Sequence, residues 1–141
     1  MKFKNISLCF KINSIHQAFE VISICKKNNI IPILYIKFYL INGFGIDWIN
    51  GFNNLLLKNY NNKDYKLFIE CKENYGLFIS LVKLKIKYLF VNGNNGILLR
   101  LNQIAKINNV IINPKFDIID ITKIKNIKSK VKKILIGKSK K

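Results

Sequence analysis

The chain is 141 residues long, half of it hydrophobic, with a formal net charge of +18. That length and apolar content fit a single domain with a buried core and exclude a disordered chain. No uncharged apolar run reaches the roughly 18 residues that a membrane span needs.

Residues 3–12, FKNISLCFKI, alternate apolar side chains at Ile6, Leu8, Phe10 and Ile12, the period of a strand with one buried face. Asn13 or Ser14 then offers an N-cap to a helix whose apolar positions are Ile15, Phe19, Ile22 and Cys25 and whose end carries Lys26 and Lys27. The run IIPILYIKF over 30–38 is almost unbroken and β-branched, which suits a strand covered on both faces. Gly43 and Gly45 mark a loop, and 46–58 read as a helix with Ile49, Phe52 and Leu56 on one side.

KLFIEC, 66–71, is a short strand and KENYG its loop. LFISLVKLK is a helical run, IKYLFVN over 86–92 the next strand, and GNNG its loop. An amphipathic helix through Ile97, Leu101, Ile104 and Ala105 leads to a last short strand at 109–113, closed by Pro114. The order is strand–helix repeated, ending in a helix at 122–136. Such alternation predicts an α/β fold: a small, mostly parallel sheet of four to five strands with packed helices, either flavodoxin-like or a partial barrel. A full eight-unit barrel takes about 250 residues and is excluded.

The domain reading is one α/β unit over 1–120 followed by a Lys-rich segment, 121–141. That segment holds nine lysines and no acid, half of the net charge. Ile121, Ile124, Ile127, Val131 and Ile134 recur at spacings of three and four, so it forms a basic amphipathic helix. Either its apolar stripe docks on the sheet and its lysines are solvated, or Lys123, Lys125, Lys128, Lys130, Lys132 and Lys133 contact nucleic acid, a membrane surface or an acidic partner. Ile, Lys and Asn make up half the chain and Arg100 is the only arginine, the signature of an AT-rich genome. Codon drift therefore accounts for part of the lysine content, but not for the seven acids.

In an open α/β sheet, ligands bind where the carboxyl ends of strands meet helix N-termini. This singles out four loops: 42–47, 71–76, 92–96 and 113–117. The candidate ligand residues are Gly43, Gly45, Asp47, Glu70, Cys71, Glu73, Asn74, Gly76, Asn92 and Gly93. Each has a bland alternative. GFG at 43–45 cradles an anion or merely turns the chain, and it lacks the third glycine of a dinucleotide fingerprint. Asp47 orients a substrate hydroxyl or simply favours a helix start. Glu70 is a candidate general base, and Cys71, one residue on, points to the opposite face of its strand. Lys72 and Arg100 are available as phosphate cations. The lone His16 is read at the other edge of the sheet, which leaves Cys71 without a dyad partner. The expected ligand is a small anion or phosphorylated compound, and the alternative partner is a nucleic acid or the ribosome.

Cys9, Cys25 and Cys71 are odd in number and lack CxxC spacing, so neither a disulfide framework nor a zinc site is expected. No P-loop, GxSxG or HExxH motif is present, and no particular cofactor or reaction is indicated. The opening residues hold an apolar run too short for a secretory signal, which makes a soluble cytoplasmic protein the expectation.

FIECKENYGLFISLVKLKIKYLFVNGN, with NGFGIDWINGFNNLL upstream and LRLNQIAKINNVIINP downstream, resembles small α/β proteins of alphaproteobacterial type and unknown function, over roughly residues 13–120. Its anchors are Cys71, Gly76, Gly93 and the Gly43/Gly45 pair. The resemblance implies an α/β fold and a bacterial or endosymbiont origin, and carries no activity. The sequence departs from that pattern at Lys72, where a glycine is expected, and in the bulk of the following helix.

Overall fold

The computed structural model describes residues 7–43 and 45–139. Residues 3–6 of the first expected strand, with Ile6, lie outside the described residues, as does Phe44. The elements run β1 (Cys9–Lys11), α1 (Ile15–Lys27), β2 (Ile33–Ile36), α2 (Phe38–Asn42), α3 (Ile46–Asn59) and β3 (Lys66–Lys72). They continue α4 (Tyr75–Lys83), β4 (Tyr88–Val91), α5 (Asn95–Ile107), β5 (Ile111–Ile112), β6 (Ile118–Asp120) and α6 (Ile127–Ser139). The strands form one sheet in the order β5-β4-β3-β2-β1-β6, and every neighbouring pair is parallel.

The class is as the sequence predicts, with one strand more than expected. Each step from β1 to β5 moves to the next neighbour in the same direction. Crossovers of constant hand then place the helices on one face. The core bears this out. Phe10, Leu34, Ile69 and Leu89 meet buried residues of all six helices, whereas the opposite face carries a separate cluster of Cys9, Ile33, Tyr35 and Phe68. Of the two expected architectures this is the partial barrel, because a flavodoxin-like sheet has helices on both faces.

Chain reach shows the curl. Five interstrand gaps of about 4.8 Å separate β5 from β6 on a flat sheet, about 24 Å. Six Cα steps from Ile112 to Ile118 span at most about 21 Å, so the sheet must bend its two edges towards one another. The short connection crosses the inner face, where Phe116 packs edge-on against Tyr88 and Phe68, with ring centroids 5.0 and 6.0 Å apart. Phe68 in turn lies 4.7 Å from Tyr35. Aromatic rings thus fill the hollow of the half-barrel.

The helix ends follow local rules. Ser14, Asn74 and Asn94 each accept the backbone N–H three residues on, which caps α1, α4 and α5. Three helices close alike: the N–H groups of Ile30, Ile86 and Val110 reach back to the carbonyls of Cys25, Leu81 and Ala105. The residue before each sits at positive φ: Asn29 at 58°, Lys85 at 63° and Asn109 at 60°. This is the Schellman closure, and Asn tolerates its left-handed position better than Lys does. Last-turn lysines, Lys26 and Lys27, Lys58, Lys83 and Lys106, complement the helix dipoles.

The Lys-rich segment is part of this core. Ile121, Ile127, Val131 and Leu135 are buried, and the Gln17 side chain donates to the Thr122 carbonyl at 3.1 Å. Of the two readings of the amphipathic helix, the docked one describes how it sits. Lys123, Lys125, Lys128, Lys130, Lys132 and Lys133 are all exposed.

Candidate functional site

Side chains alternate along a strand, so Tyr35 on β2 and Glu70 on β3 face the hollow near the carboxyl ends of their strands, and Lys37, the N-cap of α2 directly after β2, reaches Glu70 there. Glu70 is buried at 4% exposure. Its carboxylate accepts the Tyr35 hydroxyl at 2.6 Å, the Lys37 ammonium at 2.9 Å and the Phe38 backbone N–H at 3.0 Å. Burial pushes this carboxyl up, but the bonds from Tyr35, Lys37 and Phe38 together outweigh it and leave Glu70 below its ordinary value. A carboxylate so satisfied is a poor general base. Its role here is to anchor Lys37 and Tyr35, whose hydroxyl is pushed up by burial and by the bond to Glu70.

Two further lysines share this mouth. Lys11 pairs with Asp120 across β1 and β6 at 3.6 Å. The β3–β4 register slips between Glu70 and Lys72, a bulge that turns Lys72 to φ 51°. Its ammonium then lies 5.6 Å from the Phe38 ring centroid. Position 72, where the resembled pattern has glycine, adopts a backbone that glycine favours.

The other expected residues fall as follows. Gly45 sits at φ 77° as N-cap of α3 and, with Asn74, lines a cleft of about 250 Å³ that also touches Phe38. Gly43 closes α2, and Asp47 is exposed in the first turn of α3. Glu73 is exposed, and Gly76 lies in the first turn of α4. The Asn92 carbonyl accepts the Tyr75 hydroxyl at 2.8 Å, and a Cβ at Gly93 would meet that hydroxyl oxygen and Ile97 at 3.0 Å. A larger residue at position 93 therefore makes Tyr75 or Ile97 give way by a few tenths of an ångström. Cys71 faces the helices, fully buried, with its thiol pushed up to about 12 by burial and by the charge of Glu70. It is protonated and unreactive at neutral pH.

His16 needs a correction. It opens α1, directly after β1, so it lies at the same carboxyl edge as the mouth. There it pairs with Glu20 at 3.2 Å on an exposed helix turn. The buried Cys71 still rules out a dyad. Arg100 is exposed on α5. Sequence reasoning missed the partners that matter most, Tyr35, Lys37 and Lys11. Their signal is alternation: Tyr35 and Lys37 share a parity that interrupts an apolar strand with polar ends on one face only.

Among the described residues no cluster of His, Cys, Asp and Glu is arranged to hold a metal ion, and no helix is long and apolar enough to cross a membrane. No protein-family model matches the chain, and no curated protein matches it.

Proposed function

We propose that the chain binds a small anionic or phosphorylated ligand at the carboxyl-end mouth of its curled sheet. The observation behind this is the anchoring of the Lys37 ammonium by buried Glu70. One of its three donors is spent on that carboxylate, and the others remain for a ligand. Lys72 and Lys11 bring two more cations to the same rim, and the Tyr35 and Phe38 rings lie against the Lys37 and Lys72 ammonium groups, 5.8 and 5.6 Å away. The arrangement recognises charge and shape. It contains no activated nucleophile, and binding rather than a particular reaction is what it supports.

The test is thermal unfolding of the full chain with inorganic phosphate, pyrophosphate, a phosphate monoester or a dicarboxylate. A bound anion raises the melting temperature in proportion to the logarithm of its concentration. Lys37→Gln removes the rise. The reading fails if none of the four anions shifts the wild-type transition.

A further inference from the structure

The lysines of 7–120 are segregated by edge. Lys11, Lys37 and Lys72 lie at the carboxyl edge, and ten others at the amino edge. Helix dipoles account for the five that close helices. They do not account for the other five: Lys63, Lys85 and Lys87 in helix-to-strand connections, Lys66 at the start of β3, and Lys115 in the β5–β6 connection. Among the described residues the only carboxylates at this edge are Asp64, already paired with Lys26 at 3.0 Å, and Asp117.

We infer that the amino edge of the sheet is a nucleic-acid surface that grips the phosphate backbone. Between α3, α4 and the starts of β3 and β4 lies a cleft of about 300 Å³ that brings Lys66, Lys85 and Lys87 together with Asn53 and Asn62. Among the described residues no carboxylate lines it. Lys85 stands at the left-handed position that two sister closures give to asparagine, so a cation is held here against backbone preference. A second cavity, of about 480 Å³, brings Lys115 and Lys130 together with Asp117 and Phe116. Among the described residues the one aromatic side chain lining the first cleft, Tyr65, is buried, which suits sequence-independent contact with phosphates rather than base stacking there. The apolar stripe of α6 is buried, so the helix best suited to lie in a bilayer surface has no free apolar face. This surface is separate from the mouth, and the two readings stand or fall independently.

The experiment is fluorescence anisotropy of a labelled single-stranded RNA of mixed sequence and about 20 nucleotides, titrated with the full chain between about 50 and 200 mM salt. The logarithm of affinity falls linearly with the logarithm of salt. Replacing Lys66→Gln, Lys85→Asn and Lys87→Gln together flattens that slope by about 2, at about 0.7 per lost phosphate contact. Lys85→Asn alone weakens binding without lowering the melting temperature, which separates lost contact from lost fold. Lys123→Gln with Lys125→Gln, at the opposite edge, leaves the slope unchanged. A triple variant with the wild-type slope overturns the inference. So does loss confined to the Lys123/Lys125 variant, or binding to phosphatidylserine vesicles without binding to RNA.

Discussion

At the carboxyl edge, Lys37 and Lys11 each face a carboxylate, Glu70 and Asp120. At the amino edge, among the described residues of 7–120, ten lysines stand with Asp64 and Asp117, and of the ten Lys26 pairs with Asp64. The same residue type is therefore used in two ways. A paired ammonium has a fixed place but little net field, and suits a small ligand docking in one pose. Unpaired ammonium groups on flexible stems make a broad positive field, and suit a long polyanion whose contacts are interchangeable. Both edges also hold a lysine at positive φ, Lys72 and Lys85. Each gives up some backbone stability to keep a cation.

The contrast is broken most severely at Glu70. Glu70→Leu leaves the Lys37 ammonium and the Tyr35 hydroxyl without their acceptor and lowers stability by about 3 kcal/mol in urea unfolding. A change under about 0.5 kcal/mol would mean that the mouth is not organised by this carboxylate. Phe116→Ala, which removes the ring plugging the hollow, is expected to lower it by about 2 kcal/mol, less than a fully buried Phe because this side chain is half-buried.

Acid provides a graded version of the Glu70 test. Its folded value lies below the ordinary 4.5, so its contribution is complete above that pH and is lost as pH falls through the folded value. Wild type weakens on acidification below about pH 4.5 more steeply than Glu70→Gln does, as followed by circular dichroism. Lys72→Gly should raise stability, by about 0.5–1 kcal/mol, while weakening any anion bound at the mouth. A destabilised Lys72→Gly would show that the bulge needs the lysine stem. The smallest effect is reserved for the amino edge. Lys83→Gln with Lys106→Gln, both exposed, should leave stability within about 0.5 kcal/mol of wild type, since no ion pair among the described residues depends on them.

Much of the scaffold was legible. The run at 30–38 announces a doubly covered strand, and the spacing of Ile127 and Val131 announces a docked stripe. Local chemistry also pointed to Asn13 or Ser14 as a cap, and Ser14 is the one that accepts the Gln17 N–H. Two elements escaped. α2 has only five residues and continues an apolar run, so no change of period marks it. β6 reads IID, two of its three residues showing more than a buried strand would, and it earns its place only by pairing with β1. The site was legible as an address more than as a set of partners. Strand–helix order points to the carboxyl edge and should have placed His16 there too. Which side chains meet depends on register between β2 and β3, where Ile36 pairs with Ile69 and so brings Lys37 beside Glu70. No local pattern encodes that alignment. The boundary expected at 120/121 falls on Ile121, which is fully buried. Composition separates that segment from the rest, but packing does not.

The return of β6 to β1 also has a kinetic side. Strands β1 to β5 add in sequence, each beside the one before, so those units can assemble from contacts close in the chain. The pairing of Cys9 with Ile118 joins residues 109 apart and cannot form until residues 118–120 have been synthesised. Until then one edge of β1 and the flank of α1 are bare, and a nascent chain of about 110 residues presents an open strand that another chain can capture. The late arrival of β6 and α6 is thus the step that covers the bare edge of β1 and the flank of α1.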